Sequence, residues 1–308
     1  MQFFLEVLIG GLLSGVLYSL VALGFVLIFK ASGVFNFAQG AMVFFAALTF
    51  VGFTEVLPGW TGLEAGGTAV FWLAFVLALA SMVVLGIATE KIVLRPLVNQ
   101  PPITLFMATI GLTYLVEGIA QGIWGANVRG LDLGIEDVPI EYMLEQHNIL
   151  ISTFDLFAAL LAGLLVGSLA LFFQYTKVGR ALRAVADDHQ AALSIGIPLQ
   201  HIWAIVWGVA GFVALVAGLI WGARNGVQFA LTFTALKALP VLILGGFTSV
   251  PGAIVGGLII GASEKLAEVY VGPFVGGGIE SWFPYVLALL FLLVRPEGLF
   301  GERHIDRV

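Results

Sequence analysis

The chain has 308 residues, of which 60% are hydrophobic and only 10% are charged, and its mean hydropathy is +1.07. An ordinary soluble domain has about 25% charged residues, so this composition excludes a soluble globular protein and indicates an integral membrane protein. The net charge of −6 gives no basis for a nucleic-acid partner, and the absence of Cys excludes disulfides.

Apolar segments of about 20 residues recur along the chain, and each can cross a hydrocarbon core of about 30 Å as a helix. They are apolar on every face and lack the alternation of barrel strands. We therefore predict an all-α polytopic membrane protein, a single transmembrane domain over 1–308 with roughly 7–9 transmembrane helices. The clear spans lie near 8–29, 37–57, 69–88, 103–125, 154–175, 202–222 and 283–294.

The C-terminal third is less regular, because the glycine-rich sequence 245–252 interrupts residues 236–268. Its two apolar pieces, about 238–247 and 252–263, are short for full spans. Broken or re-entrant helices fit this pattern, and a pair of short, tilted spans fits it equally well. Non-helical backbone at membrane depth is tolerated where it lines a wet cavity, so Gly245 and Gly246 are candidate path residues.

The distribution of Lys and Arg predicts the orientation. Cations follow the first, third, fifth and last spans, so those loops should be cytoplasmic, with the N-terminus outside and the C-terminus in the cytoplasm. The segment 126–148 should then be an external loop. Its excess of acids either marks a docking surface for an external partner or is a solvated loop.

Few polar groups interrupt the apolar spans. Glu117 is the one acid clearly in mid-span, where a charge costs about 2.5–3.5 kcal/mol, and a neutral, hydrogen-bonded structural role is favoured over a proton relay. Asn36 can cap the second span, and Gln39 can reach back to that cap or turn into a substrate path. Position alone favours the structural role for both residues.

A charged segment at 176–200 separates the fifth and sixth spans. Asp187 or Asp188 can cap a short amphipathic helix that ends near Gly196, and Arg180 and Arg183 precede that helix. Such a helix either docks a cytoplasmic partner or lies on lipid headgroups.

Signatures of catalysis and metal binding are missing from the sequence. No Lys follows a Gly, which excludes the end of a phosphate-binding loop. The four His are scattered and there is no Cys, so no zinc spacing exists. We expect no catalytic site, no metal site and no cofactor in this chain, so any ATP hydrolysis belongs to another subunit.

Four ordered motifs carry a resemblance that runs essentially end to end. The sequence from Gly179 to Ile197 resembles the cytoplasmic coupling loop of the permease subunits of bacterial branched-chain amino-acid ABC importers. The segments 33–40, 236–253 and 295–301 resemble the segment after that family's first span, its glycine-rich late segment and its C-terminal end. The chain is similar to the shorter, LivH-type permease.

This resemblance implies an importer in the bacterial cytoplasmic (inner) membrane. Its parts would be a second permease chain, two cytoplasmic ATP-binding subunits that use the ATP, and an extracytoplasmic substrate-binding protein. The permease would switch between outward and inward access when the ATPases push on the coupling loop. The implied coupling residues are Gly179, Arg180, Arg183, Asp187, Asp188, Ala192 and Gly196.

The resemblance implies branched-chain, hydrophobic amino acids as cargo, while relatives that carry urea, short amides or other amino acids share the same motifs. Within the family, Asn36 and Gln39 become candidate path residues on equal terms with their structural role. The alternative from another class is an ion-gradient-driven secondary transporter or channel, suggested by Glu117 and by the break in 236–268.

Overall fold

The computed structural model describes residues 2–33, 35–97, 100–187, 192, 194, 196–197 and 199–301. Within these residues the only β-structure is two isolated bridges, so the all-α prediction is confirmed. The helices are α1 (Gln2–Ser32), α2 (Gln39–Thr61), α3 (Thr68–Ala88), α4 (Pro102–Trp124), α5 (Glu141–His147), α6 (Thr153–Tyr175), α7 (Lys177–Asp187), α8 (Leu199–Asn225), α9 (Ala230–Leu236), α10 (Ala238–Gly245), α11 (Val250–Tyr270) and α12 (Phe283–Val294). Single turns at Thr89–Leu94, Arg95–Leu97, Gly272–Val275 and Ile279–Ser281 complete the helical structure.

Seven helices in the described part of the chain are long and apolar enough to cross a membrane: α1, α2, α3 with its following turns, α4, α6, α8 and α11. The first six agree with the predicted spans. One expectation in the C-terminal third is wrong. The apolar piece 252–263 belongs to α11, a helix of 21 residues that is long enough for a full span, whereas the predicted last span is helix α12, with the predicted bounds and 12 residues.

The described residues form two compact units. Of these residues, the first unit contains 2–26, 134–176 and 237–301, and the second contains those that lie within 27–133 and 177–236. The chain passes back and forth between the two units, so that each unit contains segments far apart in the sequence. The first change of unit falls within α1, between residues 26 and 27.

Helix α2 is the centre of the second unit, where it packs on α3, α4, α8 and α9. Close approach to α8 depends on Gly218, where a Cβ atom would lie 2.6 Å from the carbonyl oxygen of Val43. Trp207 of α8 is fully buried, and a Cβ at Gly86 of α3 would lie 3.2 Å from its carbonyl oxygen. Small residues thus let α2, α3 and α8 form one tight core.

Helices α1 and α11 are in backbone contact in the first unit. A Cβ atom at Gly11 would lie 2.7 Å from the Gly261 carbonyl oxygen, and one at Gly15 would lie 2.5 Å from that of Gly257. Two of the four-residue glycine pairs in the sequence therefore face each other across one helix crossing.

A glycine-rich turn joins α10 to α11 and is covered by the C-terminal segment. Gly246 has φ of +104°, which ends α10, and the Ser249 hydroxyl caps α11 by accepting from Gly252 N at 3.0 Å. We call residues 295–301 the C-terminal strap. Its amides at Leu299 and Phe300 donate to the carbonyls of Leu244 and Gly245, at 2.8 and 3.1 Å.

Candidate functional site

Three polar side chains meet inside the first unit, and we call them the buried triad: Tyr18 of α1, Lys237 at the break between α9 and α10, and Glu264 of α11. Lys237 Nζ lies 2.9 Å from Glu264 Oε1, and the Tyr18 hydroxyl donates to the same oxygen at 3.1 Å. The Lys237 ammonium also lies 6.0 Å from the centre of the Tyr18 ring. The triad therefore ties three separate chain segments together through one carboxylate.

Burial makes this arrangement unusual for a membrane-spanning helix. Glu264 is 1% exposed, and its second oxygen, Oε2, is buried without a hydrogen-bond partner. An unpaired charge at membrane depth costs about 2.5–3.5 kcal/mol or more, and Lys237 offsets that cost by pairing. Buried ionisable groups within spans mark candidate functional sites, so the triad is the first such candidate here.

Sequence reasoning missed Glu264, because the apolar piece 252–263 stops just before it. A signal was nevertheless present. Gly257, Gly261 and Glu264 follow one another at spacings of four and three residues, which places them on one face of a helix. The glycines pack on α1, so an acid on the same face had to be buried.

Glu117 is the mid-span acid that the sequence singled out, and the structure buries it in α4 of the second unit at 6% exposure. It faces the Thr232 hydroxyl, which is buried and lacks a well-formed hydrogen bond. Two turns further along α4, Trp124 donates to the Thr49 hydroxyl at 3.3 Å. These neighbours suit a helix-tying role for Glu117, which stays a prediction.

Asn36 and Gln39 are both fully buried in the second unit. The Asn36 amide donates to Gln39 Oε1 at 3.4 Å, and Gln39 Nε2 donates to the Ala210 carbonyl at 3.4 Å. The expected helix cap is not formed, because α2 begins only at Gln39 and its cap position is Ala38. Asn36 Oδ1 instead accepts from Ala38 N at 3.1 Å and closes the turn that leads into the helix.

Described residues of the second unit line two cavities. The larger of these two, about 500 Å³, is bordered by the end of α1, the loop that follows it and α4, and is apolar apart from Ser32. Its lining residues are Phe29, Ser32, Gly33, Phe35, Ile103, Leu105 and Phe106. The smaller, about 240 Å³, lies between α2, α3 and residues 130–132. Asn36 and Gln39 line neither cavity.

Gly245 and Gly246, the other candidate path residues, are buried in the first unit. A Cβ at Gly245 would collide with the Gly252 carbonyl, and one at Gly246 would lie 2.8 Å from Gly301 N. Two of the sequence motifs, 236–253 and 295–301, are thus brought together by close backbone packing. Both glycines therefore allow close backbone packing, and their position on a substrate path stays a prediction.

The predicted coupling segment begins with an amphipathic helix, α7. Leu182 and Val185 are buried on the face towards α8, while Arg180 is exposed and Arg183 is half-buried. Arg180 and Arg183 therefore lie in a helix that was not predicted and that ends at Asp187, before the predicted helix, whose first residues after Asp187 lie outside the described residues. The reason is the apolar spacing of Val178, Leu182 and Val185, which already defines a helical face.

Only some of the later residues of the predicted coupling segment are among the described residues. Gly179 and Ala192 are buried, and Gly196 has φ of +86° with Ile197 N donating to the Ala192 carbonyl at 3.0 Å. This is the helix end expected at Gly196. Asp188 lies outside the described residues.

Residues 134–148 of the predicted external loop, together with the next five residues, are ordered by their own hydrogen bonds. Ile140 N donates to the Ile151 carbonyl at 2.9 Å, Thr153 N to the Val138 carbonyl at 2.9 Å, and Ser152 caps α6. Helix α5 exposes Glu141, Tyr142 and Glu145 on this scaffold. Docking of a partner here stays a prediction.

Taken together, the seven long apolar helices, the breaks in the chain and the buried triad define a multi-pass membrane transport subunit. The chain matches, over residues 7–295, the family described as branched-chain amino acid transport system / permease component, and it belongs to that family. Membership supports a permease subunit of an ABC importer in the inner membrane, working with other components, rather than an enzyme.

Individual relatives agree with this assignment. The chain is 27% identical to the high-affinity branched-chain amino acid transport system permease protein LivH of Escherichia coli K12, over 99% of this chain and 98% of that protein. It is 26% identical to BraD, the corresponding permease of Pseudomonas aeruginosa, with the same coverage. The autoinducer 2 import system permease LsrC of Shigella flexneri is 27% identical over 52% of this chain and 44% of its own length.

Proposed function

We propose that this chain is the membrane-spanning subunit that moves hydrophobic, branched-chain amino acids across the cytoplasmic membrane by ATP-driven alternating access. The observation that carries the proposal is the family match across residues 7–295. The N-terminus lies outside and the C-terminus in the cytoplasm, since Lys and Arg concentrate in the loops this orientation places inside.

Helix α7 is the proposed mechanical input. Its buried face, with Leu182 and Val185, fixes it to α8, and its exposed face offers Arg180 to a cytoplasmic ATP-binding subunit. Two such subunits hydrolyse the ATP, a second permease completes the membrane part, and an extracytoplasmic binding protein delivers the cargo. Movement of α7 would then be transmitted to the core of the second unit through α8.

The candidate path residues belong to this proposal. Asn36, Gln39, Gly245 and Gly246 are all buried in the described state. They would border the path only after the rearrangement that alternating access requires.

The cargo assignment rests on the full-length relatives. LivH and BraD match along 98% of their own lengths, whereas the autoinducer 2 permease matches along less than half. The alternative proposal is that the same type of importer carries urea, a short amide or another amino acid.

The test is uptake of labelled leucine into proteoliposomes that contain this chain with its partner permease, ATP-binding subunits and binding protein, with urea in parallel. ATP-dependent leucine uptake supports the whole proposal. ATP-dependent uptake of urea without uptake of leucine would support an ATP-driven importer but would show that its cargo is urea.

A second candidate function is an ion-gradient-driven transporter or channel. The observation that favours it is the buried triad, because charged pairs at membrane depth are typical of ion-coupled pathways. Leucine uptake by this chain alone, without ATP and dependent on a proton or sodium gradient, would replace the importer with this function.

A further inference from the structure

We propose that the buried triad of Tyr18, Lys237 and Glu264 binds the zwitterionic end of a free amino acid, its α-ammonium and α-carboxylate groups, during passage. This inference rests on the proposed function and deepens it by naming the residues that recognise the charged end of the cargo.

The first argument is the unused acceptor on Glu264. Both hydrogen bonds of the carboxylate, from Tyr18 and Lys237, go to Oε1, while Oε2 is buried and has no partner. A buried carboxylate oxygen without a donor is costly, so such an atom in a native structure calls for an explanation. The α-ammonium of an amino acid is a donor of the right charge for that oxygen.

The second argument is the uneven exposure of the pair. The Lys237 side chain is 23% exposed, while that of Glu264 is 2% exposed. An ammonium has three N–H donors, and the structure engages one of them, with Glu264 Oε1. Lys237 is therefore the accessible member, and its remaining donors suit the α-carboxylate of an arriving amino acid.

The third argument is the position of Lys237 in the chain. It stands alone between the end of α9 at Leu236 and the start of α10 at Ala238. Interrupted helices at membrane depth line cavities, and the positive end of a helix favours an anionic group.

Charge balance explains why a zwitterion suits the triad better than other cargo. An amino acid carries one positive and one negative group, and these can pair with Glu264 and Lys237 while the ion pair between them opens. Every charge then keeps a partner throughout the exchange. A neutral amide or urea has no charges with which to replace the pair.

The test is equilibrium binding to the assembled transporter in lipid nanodiscs without the binding protein. The probes are labelled leucine, isocaproate, which is leucine without its ammonium group, and isoamylamine, which is leucine without its carboxylate. We expect Glu264→Gln to weaken leucine binding about tenfold or more and to change isocaproate binding less than about twofold. Lys237→Met should weaken leucine and isocaproate and spare isoamylamine.

Lys265 and Glu280 provide the matched control. They form a second ion pair at 3.0 Å that involves α11, and both side chains are about 40% exposed. Glu280→Gln should leave the affinities for all three probes unchanged. Should Glu264→Gln fail to assemble, Glu264→Asp should still weaken leucine binding more than isocaproate binding, by a smaller factor, because the shorter carboxylate keeps its charge but lies farther from the ammonium group.

If Glu264→Gln weakens the binding of all three probes equally, or leaves the affinity for leucine unchanged, the triad does not bind the amino acid. Its role would then be to hold the three chain segments together. Leucine uptake by the wild-type complex separates this result from failure of the proposed function. If the wild type takes up leucine with ATP and the probe pattern fails, only the subsite is wrong.

Discussion

Gly11 of α1 and Gly261 of α11 hold their helices in backbone contact, since a Cβ atom on Gly11 would lie 2.7 Å from the Gly261 carbonyl oxygen. Four residues on, Gly15 and Gly257 repeat the contact. The same helix crossing brings Tyr18 within hydrogen-bond distance of Glu264. Close packing of glycines is therefore what makes the buried triad possible.

Gly11→Leu should force α1 away from α11 and destabilise the chain by about 1–3 kcal/mol, because a side chain has no room at the crossing. The measurement is unfolding of the detergent-solubilised protein. The control is Gly118→Leu, since Gly118 of α4 has no atom within 4 Å of the position of a Cβ. Equal stability of the two variants would show that the crossing is not tightly packed.

Asn36→Ala should lower the free energy of unfolding by about 1–3 kcal/mol, because it leaves Ala38 N–H and Gln39 Oε1 without their buried partner. Thermal unfolding in detergent measures the loss. Gln146→Ala, at an exposed position of α5, serves as the control and should have little effect. A variant that unfolds like the wild type but no longer transports would assign Asn36 to the path instead.

Arg180→Glu should reduce co-purification of the ATP-binding subunits and ATP-dependent uptake by about tenfold or more, while the membrane helices stay folded. The physical reason is reversal of charge at an exposed position of α7, where a partner's acid would meet repulsion.

Glu145→Lys gives the matched control for this prediction, as it reverses a charge at an exposed position in the predicted external loop. ATPase co-purification should be unchanged in that variant. If the Arg180→Glu variant co-purifies with the ATP-binding subunits and takes up cargo normally, Arg180 is not part of the docking surface.

Leu299→Pro should detach the C-terminal strap from the turn between α10 and α11. Proline has no N–H, so the 2.8 Å hydrogen bond to the Leu244 carbonyl is lost, which costs about 0.5–1.5 kcal/mol with further cost from the altered backbone. Leu299→Ala keeps the amide and should retain more stability than the proline variant. Faster proteolysis at 245–252 in Leu299→Pro, but not in Leu299→Ala, is the measurement.

Much of the fold was predictable, because spans such as α2 and α8 are long, apolar and bounded by loops. The error in the C-terminal third, the predicted length of α11, has a physical cause. Glu264 and Lys265 make α11 look shorter than it is, since the sequence does not show that each charge has a partner elsewhere in the fold.

The candidate site was harder to predict, because it depends on contacts between distant segments. Tyr18 and Glu264 are separated by 246 positions along the chain. Their approach depends on the packing of two glycine pairs, and the sequence contains ten pairs of glycines four residues apart with nothing to show which of them pack against each other. The apolar face of α7, by contrast, repeats within eleven residues, so a local pattern was available for that helix, although the sequence analysis predicted a helix only from Asp187 or Asp188 onward.

The order in which the strap and the two units leave the ribosome has a consequence for biogenesis. The second unit has all of its chain once Leu236 is made, whereas the first still needs the 65 residues from Lys237 to Gly301. At about 5–20 residues per second, synthesis of that stretch takes about 3–13 s. During this interval Tyr18 is already in the membrane without Glu264, so nascent chains stalled in this stretch would be the natural targets of membrane quality-control proteases.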